Sequence, residues 1–282
     1  MKRRTAQRRN VSFLDTAFGI VLGIYVLFIG GIIVANALVV TATPAGRLQF
    51  LESIRDPDVL HAVWLSIWTA SLSAVIAIAI SIPSGYLLST RRSRGMHFLD
   101  AIIDIPIVLP PLLFGISLLV LFQRTFLGSA FKAIGLKFYH EPSGIVLVQV
   151  LIAAAYGIRM LKGAFDSLDP RLAAVARTLG CTRLRAFLTV VLPSVRNSVI
   201  AALVMIWARA LALYGPIIAF VGATTGRTEV MPTRMYLEMS VGRLEAALAV
   251  SLLMIALACV VLLIVKIVGG PDDIEVERMT RY

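Results

Sequence analysis

Six stretches of this chain stay apolar for about as long as a helix needs to cross a bilayer, and nothing else in the sequence constrains its fold as strongly. They cover residues 17–40, 59–88, 101–122, 144–161, 199–221 and 246–268. A hydrocarbon core about 30 Å thick takes roughly 20 residues of helix. Inside lipid, every backbone N–H and C=O must find its partner within the protein, which a helix achieves on its own. With 59% of 282 residues hydrophobic and 15% charged, the expected fold class is all-α, a polytopic membrane helix bundle with six transmembrane helices. The fourth run is the shortest, and the second is long enough to tilt or to extend beyond the membrane.

The basic residues set the expected orientation. A formal net charge of +11 would suggest nucleic acid in a soluble protein. Here the charge lies in the connections and no soluble surface remains to read a groove, so no nucleic-acid partner is expected. One side collects 18 Lys and Arg: the N-terminal tail from Lys2 to Arg9, Arg91 to Arg94, the stretch from Arg159 to Arg196, and Lys266, Arg278 and Arg281. The other side collects 8. Positive charge stays inside, which puts both termini in the cytoplasm. The first run has a basic start and a small-residue site at Ala35-Asn36-Ala37, but it is longer than a signal-peptide core and reads as a retained anchor. The chain thus divides into 1–58 (basic tail, first helix and external loop), 59–268 (the membrane core) and 269–282, whose acidic residues at 272–277 solvate the tail.

Catalytic chemistry is not indicated. There is no G-x-x-x-x-G-K-[ST] phosphate loop. Cys181 and Cys259 show no redox or metal spacing, and His61, His97 and His140 fall near different membrane edges. No nucleophile has a paired base. The expectation is a non-enzyme without cofactor or bound metal.

One segment breaks the apolar pattern: "DPRLAAVARTLGCTRLRAFLTVVLP", residues 169–193. Asp169 is a good N-cap, Pro170 suits the first helical position, and Gly180 supplies a left-handed stop, so the spacing predicts a short helix over 170–179. Leu172, Val175, Ala176 and Leu179 recur at helical spacing and give it an apolar face, with Arg171 and Arg177 elsewhere on the wheel. A second helical run, 183–191, leads into the fifth span. The apolar face needs a cover: lipid headgroups, the protein's own loops, or another protein. Periodicity leaves all three open.

Within the spans, Arg209 stands out, because an arginine at mid-membrane costs roughly 2.5–3.5 kcal/mol. It reads either as a cationic element on an anion path or as a structural arginine bonded to carbonyls. Pro106, Pro110 and Pro111 should kink the third span, as a path-lining helix or as an ordinary packing kink. Asp104 could cap that helix. Residues 222–245, with Arg227, Glu229, Arg234, Glu238, Arg243 and Glu245, suit either a polar interface or a solvated external loop.

The A-R-T-L-G of residues 176–180, followed by Val190, Leu192 and Pro193, resembles the "EAA" loop of permease subunits of ATP-binding-cassette importers, E-A-A-x-x-x-G-x(9)-I-x-L-P. Val175 and Ala176 stand at the alanine positions, Gly180 at the glycine and Ala174 at the glutamate. "DIPIVLPP" (104–111), "WARALALYG" (207–215) and "GRTEVMPTRMY" (226–236) fall in the order of the molybdate/tungstate permeases, with sulfate permeases next. Those relatives carry G-E-F where this chain has Ala212, Leu213 and Tyr214. The resemblance implies a type I importer permease fold and import of an oxyanion, with sulfate, another small anion or ferric ion as alternatives. Rivals outside that class are a secondary transporter, which would show internal repeats and intramembrane carboxylates, and a membrane scaffold. The implied partners are an ABC ATPase subunit, an extracytoplasmic substrate-binding protein, a second copy of the chain and the lipid bilayer. Docking on the ATPase falls to Leu172, Val175, Ala176, Arg177, Leu179 and Gly180, and the translocation path to Arg209, Pro110, Pro111 and Tyr214.

Overall fold

Prolines punctuate this fold. The computed structural model describes the backbone of residues 2–91 and 93–268, with the side chains of 15–91, 93–261 and 263. Arg92, the acidic tail at 272–277 and the whole of 269–282 lie outside the described residues. Helix α1 (Lys2–Ala42) gives way to Thr43, whose Oγ1 accepts the Gly46 N–H at 3.1 Å and caps α2 (Pro44–Arg55). Asp56 then caps α3 (Pro57–Thr90), accepting the Asp58 N–H at 2.9 Å. Proline in a first turn forfeits only an N–H that has no helical partner, and the device recurs downstream.

The remaining helices are α4 (Arg94–Val108), α5 (Pro111–Arg124), α6 (Phe126–Ala133), α7 (Pro142–Asp166), α8 (Arg171–Thr178), α9 (Arg183–Ala186), α10 (Leu192–Ser194), α11 (Arg196–Leu211), α12 (Gly215–Phe220), α13 (Met231–Ser240) and α14 (Leu244–Val268). A π-helical turn, Phe187–Val191, joins α9 to α10. Every regular element among the described residues is helical.

Four segments are long and apolar enough to cross a membrane: Asp15–Ala42, Pro57–Thr90, Pro142–Asp166 and Leu244–Val261. Counting each bent pair as one span brings the total to as many as six among the described residues: α4 with α5 at 112°, and Arg183–Ser194 with α11 at 75°. Six spans, as the sequence reading has it, are reached when both bent pairs are counted, so two of the spans are not single helices. The third, expected to be kinked, is broken outright at Leu109–Pro110. The fifth run stops at Leu211 and restarts at Gly215. The fourth run, the shortest in sequence, extends to the 25 residues of α7 and is the most deeply buried span.

α7 lies parallel to α3, and this is the most extensive helix pair. Lipid tails are as apolar as leucine, so helices here associate by close packing and interhelical hydrogen bonds rather than by hydrophobic exclusion. Both are visible. Ala70, Ala74 and Ala77 of α3 meet Ala153 and Ala154 of α7 and Ala210 of α11. A Cβ on Gly85 would lie 3.0 Å from the Lys162 nitrogen. Buried Gln149 contacts Ser73 Oγ through Oε1 at 2.9 Å and donates from Nε2 to the Ala210 carbonyl at 3.0 Å, tying three helices together. That second bond adds a side-chain donor to a carbonyl in the last turn of α11, which the Leu213 N–H also reaches at 3.4 Å.

At one end of the α3–α7 pair, Leu65, Ile145, Val148 and Phe220 form a core edged by Phe122 and Phe138. At the other, Leu161, Phe165, Val191 and Val195 pack with Tyr86 and Phe187. α14 closes the bundle against α13, α2 and α1, and Asn36 donates to Ser251 Oγ at 2.8 Å across the α1–α14 contact.

Candidate functional site

The two helix breaks face each other. Pro110 pushes Leu109 into extended backbone, with φ −64° and ψ 140°, because a proline disfavours the α region in the residue before it. Pro111 then opens α5. On the other side Ala212, Leu213 and Tyr214 leave the helix, and the Gly215-Pro216 pair begins α12. The broken spans cross backbone to backbone at Gly115, where a Cβ would sit 2.6 Å from the Pro216 carbonyl oxygen and 2.7 Å from its Cα. Only a glycine permits that approach.

Between the breaks lies a cavity of about 600 Å³. Its wall brings Arg209, Pro110, Pro111 and Tyr214 together, residues spread over a hundred positions of sequence. Tyr156 and Tyr236 complete the polar lining. The Arg209 guanidinium lies 4.4 Å from the centroid of the Tyr156 ring, a cation–π contact, and Tyr214 stacks on Tyr236 at 5.4 Å. No carboxylate lines the cavity, and Arg209 has no ion pair among the described residues. Leu213, the middle residue of the Ala212-Leu213-Tyr214 stretch, is part of the wall. The start of α5 adds the partial positive charge of a helix N-terminus. An arginine, tyrosine hydroxyls and unopposed positive charge suit an anion and repel a cation. Tyr156, Tyr236 and Gly115 were not singled out from sequence. A lone tyrosine among the small residues "AAAYG" (153–157) was the one available signal.

Asp104 does not cap a helix. It lies within α4 and pairs with Arg159 of α7, while Asp100 pairs with Arg159 at 3.1 Å and with Lys162 at 2.7 Å. Arg159 and Lys162, counted above as connection residues, therefore belong to a helix–helix tether. The segment 222–245 is not a plain solvated loop: it contains α13, and three of its six charged residues, Glu229, Arg234 and Glu238, turn inward. Arg234 reaches Glu238 at 3.0 Å, Glu229 at 3.2 Å and Asp56 at 3.4 Å, and Glu229 is only 2% exposed. Burial works against the Arg234 charge, but the carboxylates of Glu229, Glu238 and Asp56 outweigh it and hold the guanidinium above the ordinary arginine range. Arg227 reaches outward to Glu141, and Arg243 and Glu245 are exposed as well.

The segment after α7 folds much as its punctuation implies. Asp169 Oδ1 accepts the Arg171 N–H at 2.9 Å, and Pro170 has helical φ of −56°. At the other end Gly180 takes φ +87°, its N–H bonds the Arg177 carbonyl at 3.0 Å, and the Cys181 N–H bonds that of Ala176 at 3.1 Å. This is the Schellman closure that a C′ glycine allows. The apolar face is divided. α8 packs on α9 and the π-turn and buries Ala176, so Ala176 is a packing residue and does not face outward. Leu172, Val175 and Leu179 are exposed, Leu179 to 80%, and so are Arg177 and Gly180.

Residues 77–270 match the family described as "Binding-protein-dependent transport system inner membrane component". Among curated relatives, the molybdenum transport system permease protein ModB of Mycobacterium tuberculosis is 32% identical over 85% of this chain and 91% of its own length. The molybdate/tungstate transport system permease protein WtpB of Thermococcus kodakarensis is 35% identical over 60% of this chain, and the match spans 64% of that relative's length. Among solved structures, a chain of a bacterial ABC transporter involved in the import of the acidic polysaccharide alginate superposes with TM-score 0.75 at 18% identity, covering 94% of this chain and 98% of that one. The family match over most of the chain and the helical fold agree: it belongs to the inner-membrane components of binding-protein-dependent transport systems, as a multi-pass membrane protein.

Proposed function

We propose that this chain is the membrane-spanning subunit of an ATP-driven importer of an oxyanion, molybdate or tungstate, and that it works as a homodimer. The observation that carries the reading is the cavity between the two broken spans, cationic through Arg209 and free of carboxylates. The names of the relatives point to the same anions. Ferric ion, which the fold could also serve, would meet the wrong sign of charge.

α8 is the element on which an ATPase subunit docks, through Leu172, Val175, Arg177 and Leu179, with Gly180 fixing where the helix ends. This reading puts α8 and both termini in the cytoplasm, as the distribution of Lys and Arg argues. ATP hydrolysis belongs to the partner. Closure of two ATPases would drive two copies of α8 together and turn the cavity to the opposite face, where a binding protein delivers the anion. Such alternating access needs contacts that differ between the two states. One structural neighbour was solved in complex with its alginate pentasaccharide-bound periplasmic protein, which supports a binding protein as partner.

The test is uptake of labelled tungstate by cells with and without this gene, with excess molybdate or sulfate as competitor. Gene-dependent uptake that molybdate suppresses and sulfate does not is the expected result. Uptake indifferent to the gene would overturn the substrate assignment.

A further inference from the structure

The loop that carries α8 is charged in one sense only. After Asp169 the next carboxylate in the chain is Glu229, and Asp169 is engaged with the Arg171 N–H. Arg171, Arg177, Arg183 and Arg185 are exposed and form no ion pair among the described residues. They surround apolar side chains exposed on the chain's surface: Leu172, Val175 and Leu179 on α8, then Leu184 at 68% and Leu188 at 51% exposure. Ala174, at the glutamate position of the motif, adds no charge.

The geometry favours a groove over a flat surface. At about 100° per residue, Arg171, Ala174 and Thr178 form the outer line of α8, opposite buried Ala176. Val175 and Leu179 fall on one flank. Arg177, two residues from each, falls on the other. A planar bilayer accepts one flank of such a helix, whereas a groove in a protein receives both. An apolar ridge with guanidinium groups around it has the anatomy of an interface core and rim, and arginine forks seek carboxylates.

We propose, on the reading that α8 seats in an ATPase groove, that this groove is rimmed by carboxylates which pair with Arg171, Arg177, Arg183 and Arg185. In these ion pairs the acid stands on the ATPase and the base on the permease. This selects for an ATPase with an acidic rim and against one whose groove rim is basic, since like charges facing each other across an interface are costly.

The test uses the full-length chain in nanodiscs, co-expressed in turn with each ABC ATPase subunit encoded in the source genome. Copurification of one ATPase that weakens as salt is raised is expected, because salt screens solvent-exposed charges, with a Debye length of about 10 Å at 0.1 M that shortens further at higher salt. The R171E/R177E/R183E/R185E variant should lose at least about tenfold in affinity, and converting the groove-rim carboxylates of the ATPase to lysine should restore it. R177E and R185E singly carry the same test if the quadruple variant misfolds.

An ATPase that binds wild type and variant alike, without salt dependence, would overturn the acidic rim and leave docking intact. Failure of every ATPase to copurify with wild type would remove the docking reading itself. Binding that requires phosphatidylglycerol in the nanodisc and ignores reversal of the rim carboxylates would assign the arginines to lipid and overturn the proposal.

Discussion

The two ends of the α3–α7 pair treat charge in opposite ways. At the α13 end, Arg234 is gathered in by Asp56, Glu229 and Glu238, and the network is closed within the chain. At the α8 end, Arg159 and Lys162 are tethered to Asp100 and Asp104, but the arginines and leucines of the loop beyond them are left open side by side. A buried ion network specifies a fold because breaking it strands a charge. An open basic and apolar ridge costs the fold little and is finished only by something outside it. Mutations at the first end should therefore act on folding, and those at the second on assembly.

That contrast can be broken experimentally. The largest effect on folding is expected from Arg234→Met, which strands Glu229 at 2% exposure and should cost roughly 3–5 kcal/mol. The yield of folded protein and the unfolding temperature in detergent would show it, and adding Glu229→Gln should recover part of the loss. Unchanged unfolding would mean that the network is ornamental. Next comes Gly115→Val, which forces α5 away from Pro216 and should cost about 1–3 kcal/mol. It should also abolish uptake, because the crossing shapes the cavity.

Gly180→Val places a β-branched residue at φ +87°, a local strain of about 1–2 kcal/mol. Copurification with the ATPase should weaken while global unfolding scarcely moves. Arg209→Met removes the cavity's unpaired charge. Uptake should fall at least about tenfold, equivalent to ~1.4 kcal/mol, with assembly intact; loss of folded protein would instead make Arg209 a structural residue. Leu179→Ser should change folding by no more than about 0.5 kcal/mol and still reduce ATPase copurification. If Leu179→Ser unfolds the chain, the α8 end is not the open surface described here.

How far the sequence reaches can be judged residue by residue. Asp169, Pro170 and Gly180 fix a short helix because capping and left-handed backbone are local properties, and the structure moved its bounds by only one residue at each end. The breaks at Pro110 and Tyr214 were less legible. Prolines announce a disturbance in the third span, but whether a helix bends or stops depends on what neighbouring chain can satisfy the freed groups. Glu229 and Arg234 read as loop charges because nothing local reveals that Asp56, some 170 positions earlier, lies beside them.

The sequence alone determined that this chain crosses a membrane as helices, roughly where each begins, and that a basic helix interrupts the spans, since hydropathy, capping and charge count are properties of neighbouring residues. Only the tertiary structure decided that the two breaks enclose one cavity, that Gly115 lets them meet, and that Ala176 turns inward while Leu179 does not. Those outcomes depend on distances between segments far apart in the chain, which packing sets and periodicity cannot.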